Sequence, residues 1–288
     1  MNTTRGAALK AIKAQFVAAG LPDAAASAEW LLTDVLGTSR AQLYAFPEAE
    51  VSKEEAAALS DAANRRVAGE PLQYILGTAS FFGLDLDVGP GVLIPRPETE
   101  LLVERTLQRL PKGDRTVLDA GTGSGCIALA LKHAHAGLSV YGIDVSPDAL
   151  AIASRNALAL NLGVAFERLD LLHEDAASLI RQLAGGPLDV LVSNPPYVPE
   201  AERESLDIHV REHEPALALF VEDDPLLFYR SLAKLAGQVV RPGGWLLTEV
   251  HTDYASDVAR LYDSAGLENV RVLEDYTGRP RIVEGAVS

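Results

Sequence analysis

Val117-Leu118-Asp119-Ala120-Gly121-Thr122-Gly123-Ser124-Gly125-Cys126-Ile127-Ala128-Leu129 reads as a strand, a glycine-rich turn and the start of a helix. Glycines let the backbone turn tightly and approach a ligand closely, and a helix N-terminus offers free N–H groups to it. The stretch therefore predicts a nucleotide-like cofactor at the end of a strand. A dinucleotide G-x-G-x-x-G pattern needs its third glycine where Cys126 stands, which weakens a nicotinamide reading.

Downstream, apolar runs alternate with helical segments, the sequence sign of a parallel sheet covered on both faces. The predicted strands are Thr116–Ala120, Ser139–Ile143, Ala165–Leu169, Leu188–Ser193 and Trp245–Val250. Val270–Leu273 and Arg281–Glu284 flank the turn residues Asp275 to Pro280 and read as a terminal antiparallel hairpin. The expectation is an α/β domain over residues 97–288 with a mostly parallel sheet of seven strands.

Upstream the texture is different. Residues 1–76 are rich in Ala, Leu, Glu and Arg, with Leu9, Ile12 and Phe16, then Trp30, Leu31 and Val35, at helical spacing. Breaks at Gly20 to Asp23, Gly37 to Ser39 and Phe46-Pro47 divide this helical domain, and Ser52 with Glu55 forms a capping box for a helix over 53–68. Residues 77–96 read as a hairpin linker, because Phe81 to Val88 alternates apolar and polar side chains.

Composition narrows the functional classes. The chain has 288 residues, 48% of them hydrophobic, enough to bury a real core. Its net charge of −15 opposes broad neutralisation of a nucleic-acid backbone. The single cysteine, Cys126, excludes an intramolecular disulfide and an all-thiolate zinc site. No apolar run reaches membrane-span length, and residues 1–20 lack the continuous apolar stretch of a secretory signal, so a cytoplasmic protein is expected, and separately a monomer.

Further acids close the next two strands. Asp144 stands where a carboxylate accepts hydrogen bonds from both ribose hydroxyls, and Asp170 where an adenine amino group is met, with Leu171 as an apolar wall. With Asp119 before it, itself expected at the cofactor, the G-x-G-x-G loop resembles the first motif of class I methyltransferases, a Rossmann-like fold that binds S-adenosylmethionine.

Asn194-Pro195-Pro196-Tyr197 follows the fourth strand. Two fixed φ angles hold this segment extended and leave carbonyls without competing N–H groups. The result is a rigid rack of acceptors. An amide nitrogen is a weak nucleophile because its lone pair is delocalised, so methylating it requires orientation more than a strong base. The Asn194 side-chain oxygen and the Pro195 carbonyl are expected to accept the two N–H bonds of a planar NH₂ group, with Tyr197 stacked on it. The tetrad alone leaves a protein amide and a nucleobase amine both open.

Nearly the whole chain resembles the HemK/PrmC family, the protein-(glutamine-N5) methyltransferases of peptide chain release factors. The resemblance rests on Gly69-Glu70-Pro71-Leu72-Gln73-Tyr74-Ile75-Leu76-Gly77, Leu93-Ile94-Pro95-Arg96-Pro97-Glu98-Thr99-Glu100, Leu118 to Gly125, Asn194 to Tyr197, and Glu214-Pro215-Ala216-Leu217. It implies a helical substrate-recognition domain and a methyltransferase domain that modifies the glutamine of a Gly-Gly-Gln motif. Carried over, Gly121, Thr122, Gly123, Ser124, Gly125, Asp144, Leu171 and Asn194 hold the cofactor, and Asn194 to Tyr197 hold the glutamine. Arg96-Pro97-Glu98 is expected near the mouth of the site, with no chemical step assigned to Glu98. Two departures stand out: Ala218 to Pro225 replaces a glycine-richer loop, and Val250-His251 replaces a glycine after Glu249.

His209-Val210-Arg211-Glu212-His213 matches a zinc-peptidase pattern, but its shortness, charge and flanking prolines favour a solvated loop and no metal. His133 and His135 fit a helix C-terminus, Cys126 fits helix packing, and Trp30, Trp245 and most tyrosines fit a core. Adenine-amino methylation of nucleic acid is the enzymatic alternative. A non-catalytic interaction protein is the other, opposed by the loop, the carboxylates and the tetrad together.

Overall fold

A computed structural model describes residues 3–110, 113, 115–222 and 224–288. The described residues form two compact units, Met1–Thr78 with Asp207–His213, and Ala79–Leu206 with Glu214–Ser288.

The first unit contains β1 (Thr3–Thr4), α1 (Arg5–Ala18), α2 (Ala24–Val35), α3 (Arg40–Ala45), β2 (Glu50–Val51), α4 (Lys53–Val67) and α5 (Leu72–Leu76). The Ser52 hydroxyl and the Glu55 carboxylate cap α4 reciprocally, as the sequence predicts. The core joins Ile12 and Phe16 of α1, Leu31 and Leu32 of α2, Leu43 and Leu59. Helix α2 buries Ala24, Ser27, Ala28, Leu31 and Leu32. That stripe leaves Trp30 on the opposite face at 62% exposure, which overturns its placement in the core.

The second unit opens with the hairpin β3 (Thr78–Phe81) and β4 (Leu84–Asp87), then α6 (Pro97–Arg109). The alternating part is β5 (Thr116–Ala120), α7 (Cys126–Ala134), β6 (Ser139–Asp144), α8 (Pro147–Ala159), β7 (Val164–Arg168), α9 (Ala176–Ala184) and β8 (Leu188–Ser193). After it come β9 (Val198–Pro199), α10 (Ile208–Arg211), α11 (Ala216–Leu219), β10 (Phe220–Val221), α12 (Leu227–Val239), β11 (Val240–Glu249), α13 (Ala255–Ser264), β12 (Leu267–Glu274) and β13 (Pro280–Val287), α10 alone packing with the first unit.

Seven strands form one sheet in the order β12-β13-β11-β8-β5-β6-β7, with β13 antiparallel to both neighbours. The predicted α/β fold is therefore present with its terminal hairpin. Strand β8 is buried along its length, as its apolar run requires. On one face Leu118, Leu191 and Leu246 pack with Tyr229 and Leu232 of α12 and Tyr262 of α13, while on the other Val117, Val190 and Leu247 pack with Leu102 of α6 and Leu129 of α7. Strand β11 begins earlier than predicted because its register shifts between Val240 and Trp245, around Pro242-Gly243-Gly244.

Residues 207–213 depart from the single assignment of 97–288 to the catalytic domain. His209 Nδ1 lies 2.5 Å from the Gly69 carbonyl oxygen and 3.5 Å from Arg66 Nη1, so this turn, exposed at Asp207, Ile208 and Glu212, is also anchored to the helical unit. Among the described residues no group of three or more His, Cys, Asp or Glu side chains is arranged to hold a metal ion. Nor is any described helix long and apolar enough to cross a membrane.

Candidate active site

The chain leaves β5 toward β6 and β7 on one side and toward β8 and β11 on the other, so the gap between the ends of β5 and β8 is a topological switch point. A cavity opens there, bounded by the glycine loop, the ends of β6 and β8, the segment from Gly91 to Thr99, and Pro215 to Ala218.

The loop is a wired structure. The amides of Gly121 and Thr122 donate to the Ile143 carbonyl at 2.8 and 2.9 Å, and Gly123 donates to Asp144 Oδ2 at 2.9 Å. Asp144 Oδ1 accepts from the Ser146 amide at 2.9 Å, so the carboxylate is fixed at the cavity wall with lone pairs to spare. Gly125 has φ +82°, and a Cβ there would lie 3.0 Å from the Phe166 ring. Only glycine fits that corner.

Thr122, Gly121, Gly123 and Ser124 line the cavity, as do Asp144, Asp170 and Leu171. Asp170 Oδ1 accepts from the Leu172 amide at 2.9 Å. Asp119 and Gly125, also expected to touch the cofactor, lie behind the loop instead. Asp119 is fully buried and accepts from the Thr122 hydroxyl at 2.6 Å and the Ala128 amide at 3.2 Å, tying the turn to α7. Burial pushes its carboxyl up to about 7, against these hydrogen bonds, and the Asp144 charge adds to the rise. Burial likewise pushes the Cys126 thiol up to about 12, where a thiolate nucleophile is absent at neutral pH.

Asn194, Pro195 and Pro196 face the cavity from the end of β8, with Pro195 buried. Tyr197 does not line it. Its hydroxyl instead donates to Glu249 Oε1 at 3.3 Å, and its ring lies tilted against His251 at 6.0 Å, so the stacking role is not the one its position displays. Burial pushes its phenol well above the ordinary range, with the Glu249 charge adding to the rise.

Two residues that sequence reasoning passed over complete this floor. Glu249, 2% exposed at the end of β11, accepts from the Thr99 hydroxyl at 2.7 Å, and Thr99 accepts from Asn194 Nδ2 at 3.3 Å. Burial raises the Glu249 carboxyl above its usual range despite those hydrogen bonds and the Arg281 charge. The available signal was a carboxylate ending an otherwise apolar strand, which has to find partners inside.

At the mouth, Arg96 Nη2 donates to Glu214 at 2.5 Å, and Glu214, buried, also accepts from the Ile94 amide at 3.1 Å. This ties the Ile-Pro-Arg-Pro run to the Glu-Pro-Ala-Leu run. Glu98 is exposed in the first turn of α6, where a negative charge suits the helix dipole. The segment after Leu217, without its expected glycines, packs through β10 on β9; Asp223 lies outside the described residues.

The cavity suits a nucleoside cofactor: a fixed carboxylate in its wall, a glycine turn, and the apolar side chains of Leu169 and Leu171.

Comparison with known proteins agrees with this layout. Residues 7–77 match the model of the PrmC N-terminal domain, and residues 97–211 match the methyltransferase small domain. The fold is shared with the hMettl16 catalytic domain solved with MAT2A 3′UTR hairpin 6, at TM-score 0.55 and 16% identity over 82% of this chain and 83% of that one. A methyltransferase from Pyrococcus furiosus gives TM-score 0.51 at 16% identity over 79% of this chain and 98% of that one. Release factor glutamine methyltransferase of Geobacter sulfurreducens is 41% identical over 93% of this chain and 91% of its own length. The protein of that name from Chlorobaculum tepidum is 42% identical over 93% and 92%. With both units matched and relatives this similar end to end, the chain belongs to the release factor glutamine methyltransferase family.

Proposed function

We propose that this protein transfers a methyl group from S-adenosylmethionine to the side-chain amide nitrogen of the glutamine in the Gly-Gly-Gln motif of peptide chain release factors. The observation that carries the reading is that Asn194-Pro195-Pro196 line the switch-point cavity together with the glycine loop. Asp144 would hold the ribose, Asp170 and Leu171 the adenine, and Gly121 to Ser124 the remainder of the cofactor. Bound there, the cofactor supplies an electrophilic methyl on a sulfonium sulfur.

The chain's own contribution is orientation. Asn194 Oδ1 and the Pro195 carbonyl accept the two amide N–H bonds, which turns the nitrogen lone pair toward the cofactor side of the cavity. Positive charge grows on that nitrogen during transfer, so fixed acceptors beside it favour the transition state over the ground state. No strong base is needed, because the N–H acidifies as the new bond forms and the proton leaves to water. Asp119, Gly125 and Tyr197 act from behind, holding the loop and the floor in place. The helical unit is the recognition domain in this reading, and the enzyme works as a cytoplasmic monomer on a protein rather than on nucleic acid. The net charge of −15 supports the last point.

The test is to incubate the purified protein with S-adenosylmethionine and its host's release factor, digest, and weigh the Gly-Gly-Gln peptide. One added methyl on that glutamine is expected. Methylated adenine in DNA or RNA with an unmodified peptide would favour the alternative.

Asp144→Ala is expected to weaken cofactor binding first. It removes the ribose acceptor and releases the Gly123 and Ser146 amides together. A hydrogen bond to a charged group contributes about 1.5–3 kcal/mol, so Kd measured by calorimetry should rise roughly tenfold to a hundredfold. An unchanged Kd would remove Asp144 from the cofactor site.

A further inference from the structure

An asparagine amide has two ends of opposite hydrogen-bonding character, and only one of them suits the proposed chemistry. If Asn194 turned its NH₂ to the cavity, it would present donors to the donors of a substrate amide. Something must fix the other orientation. The tetrad itself cannot, because prolines on its C-terminal side offer no N–H groups.

We infer that Glu249 is a positioning residue that sets the polarity of Asn194 through Thr99. An ionised carboxylate only accepts, so the Thr99 hydroxyl at 2.7 Å from Oε2 must spend its single proton on Glu249. The Thr99 oxygen then has only lone pairs left for Asn194, and it takes a proton from Nδ2 at 3.3 Å. That commits the NH₂ of Asn194 to the protein and its Oδ1 to the cavity. The Tyr197 hydroxyl fills Oε1 in the same sense, and the Tyr229 hydroxyl donates to the Glu249 main-chain carbonyl at 3.1 Å. The carboxylate thus has donors on both oxygens, and its backbone is pinned.

The arrangement carries a pH dependence with a defined sign. Burial holds the Glu249 carboxyl above the ordinary carboxylate range, and the Glu98 charge adds to this, while the Thr99 and Tyr197 hydroxyls and the Arg281 charge oppose it. Tyr229 and Cys126 also feel its charge and remain neutral, burial raising both. As pH falls through the raised value, Glu249 gains a proton and becomes a donor. Thr99 is then free to donate to Asn194, which favours the flipped amide and removes the acceptor from the cavity. Turnover therefore falls on the acid side.

The inference rests on the proposed amide methylation, and its test separates the two. In ¹⁵N-labelled wild-type protein, the Asn194 side-chain NH₂ pair, identified by its loss in Asn194→Ala, should titrate with the midpoint seen for kcat at saturating cofactor. Thr99→Val and Glu249→Gln should abolish that titration and lower kcat about 10- to 100-fold with little change in KM, while Thr99→Ser, which keeps the hydroxyl, restores both. Should Glu249→Gln fail to fold, the Val and Ser variants of Thr99 carry the comparison. An NH₂ pair indifferent to pH and to Thr99→Val, or wild-type kcat in that variant, overturns the relay. A wild-type protein that leaves the release factor unmethylated while the pair still titrates through Glu249 would instead remove the assigned substrate and keep the relay.

Discussion

Asn194→Ala is expected to lower kcat about 10²- to 10³-fold, the scale seen when one preorganised hydrogen-bonding group is removed from a reacting centre. The side chain stands at the end of β8, where Ser193 is buried with its hydroxyl on the Ala120 carbonyl at 2.6 Å, so truncation beyond Cβ leaves the strand intact. Only the acceptor toward the cavity and the link to Thr99 are lost. Both matter to an amide nitrogen that has to be aimed, and neither holds the sheet together. Thermal unfolding should stay close to wild type while methyl transfer to the Gly-Gly-Gln peptide, followed by mass, collapses. Asn194→Asp should also fail to restore turnover. It keeps an oxygen at the cavity but removes the donor to Thr99 and places a second carboxylate on the relay to Glu249. Wild-type kcat in Asn194→Ala would sink the acceptor-rack mechanism outright.

How much of this was legible in the sequence depends on whether the signal was local. The glycine loop, the strand runs and the tetrad each lie within a few consecutive residues, and the structure places the loop and tetrad at neighbouring strand ends. Strand Leu188–Ser193 is read to the residue because its apolar positions Leu188 and Val190 to Val192 lie between Pro187 and Asn194-Pro195. Four features were not readable, each for a different reason. The phase of α2 decides which of two adjacent apolar residues faces inward, and Trp30 lost to Leu31 and Leu32. Asp119 stands in β5 among side chains alternating between faces, and turns to the Thr122 hydroxyl and the first turn of α7 rather than to the cavity. The Glu249–Thr99 pair is joined across 150 positions of sequence, with no short-range pattern to announce it. The His209 segment is a further case, since its motif was visible but its attachment to Gly69 was not.

The largest stability effect is expected at Glu284, which lies on β13 with no exposed side-chain surface. Arg105 clasps it through Nε at 2.8 Å and Nη2 at 2.7 Å, and Arg109 adds Nε at 3.0 Å and a second contact from Nη2. The Arg109 guanidinium also lies 3.8 Å over the Trp245 ring of β11. One carboxylate therefore joins α6 to β13 and β11, the strand that ends in Glu249. Glu284→Ala leaves two mostly buried guanidinium groups without their counter-charge, a defect that costs about 3–5 kcal/mol, and urea unfolding should show the loss. Glu284→Leu combined with Arg105→Met and Arg109→Met should recover most of it, because the penalty lies in the unpaired charge rather than in a missing contact. The pH sign follows from the same pair. Burial raises the Glu284 carboxyl, but the hydrogen bonds and charges of Arg105 and Arg109 outweigh it and leave it lowered. Its contribution is then complete above the ordinary glutamate range and is lost as pH falls through the lowered value. The stability difference between wild type and Glu284→Gln should shrink across that acid window. A difference under about 1 kcal/mol at neutral pH, the scale of an exposed ion pair, would mean the clasp is not what fixes β13. Because β13 also supplies the Arg281 carbonyl that accepts from the Val250 amide at 2.9 Å, loosening it should reach Glu249 one residue away. Glu284→Ala is thus expected to lower kcat as well as stability, whereas Asn194→Ala lowers kcat alone.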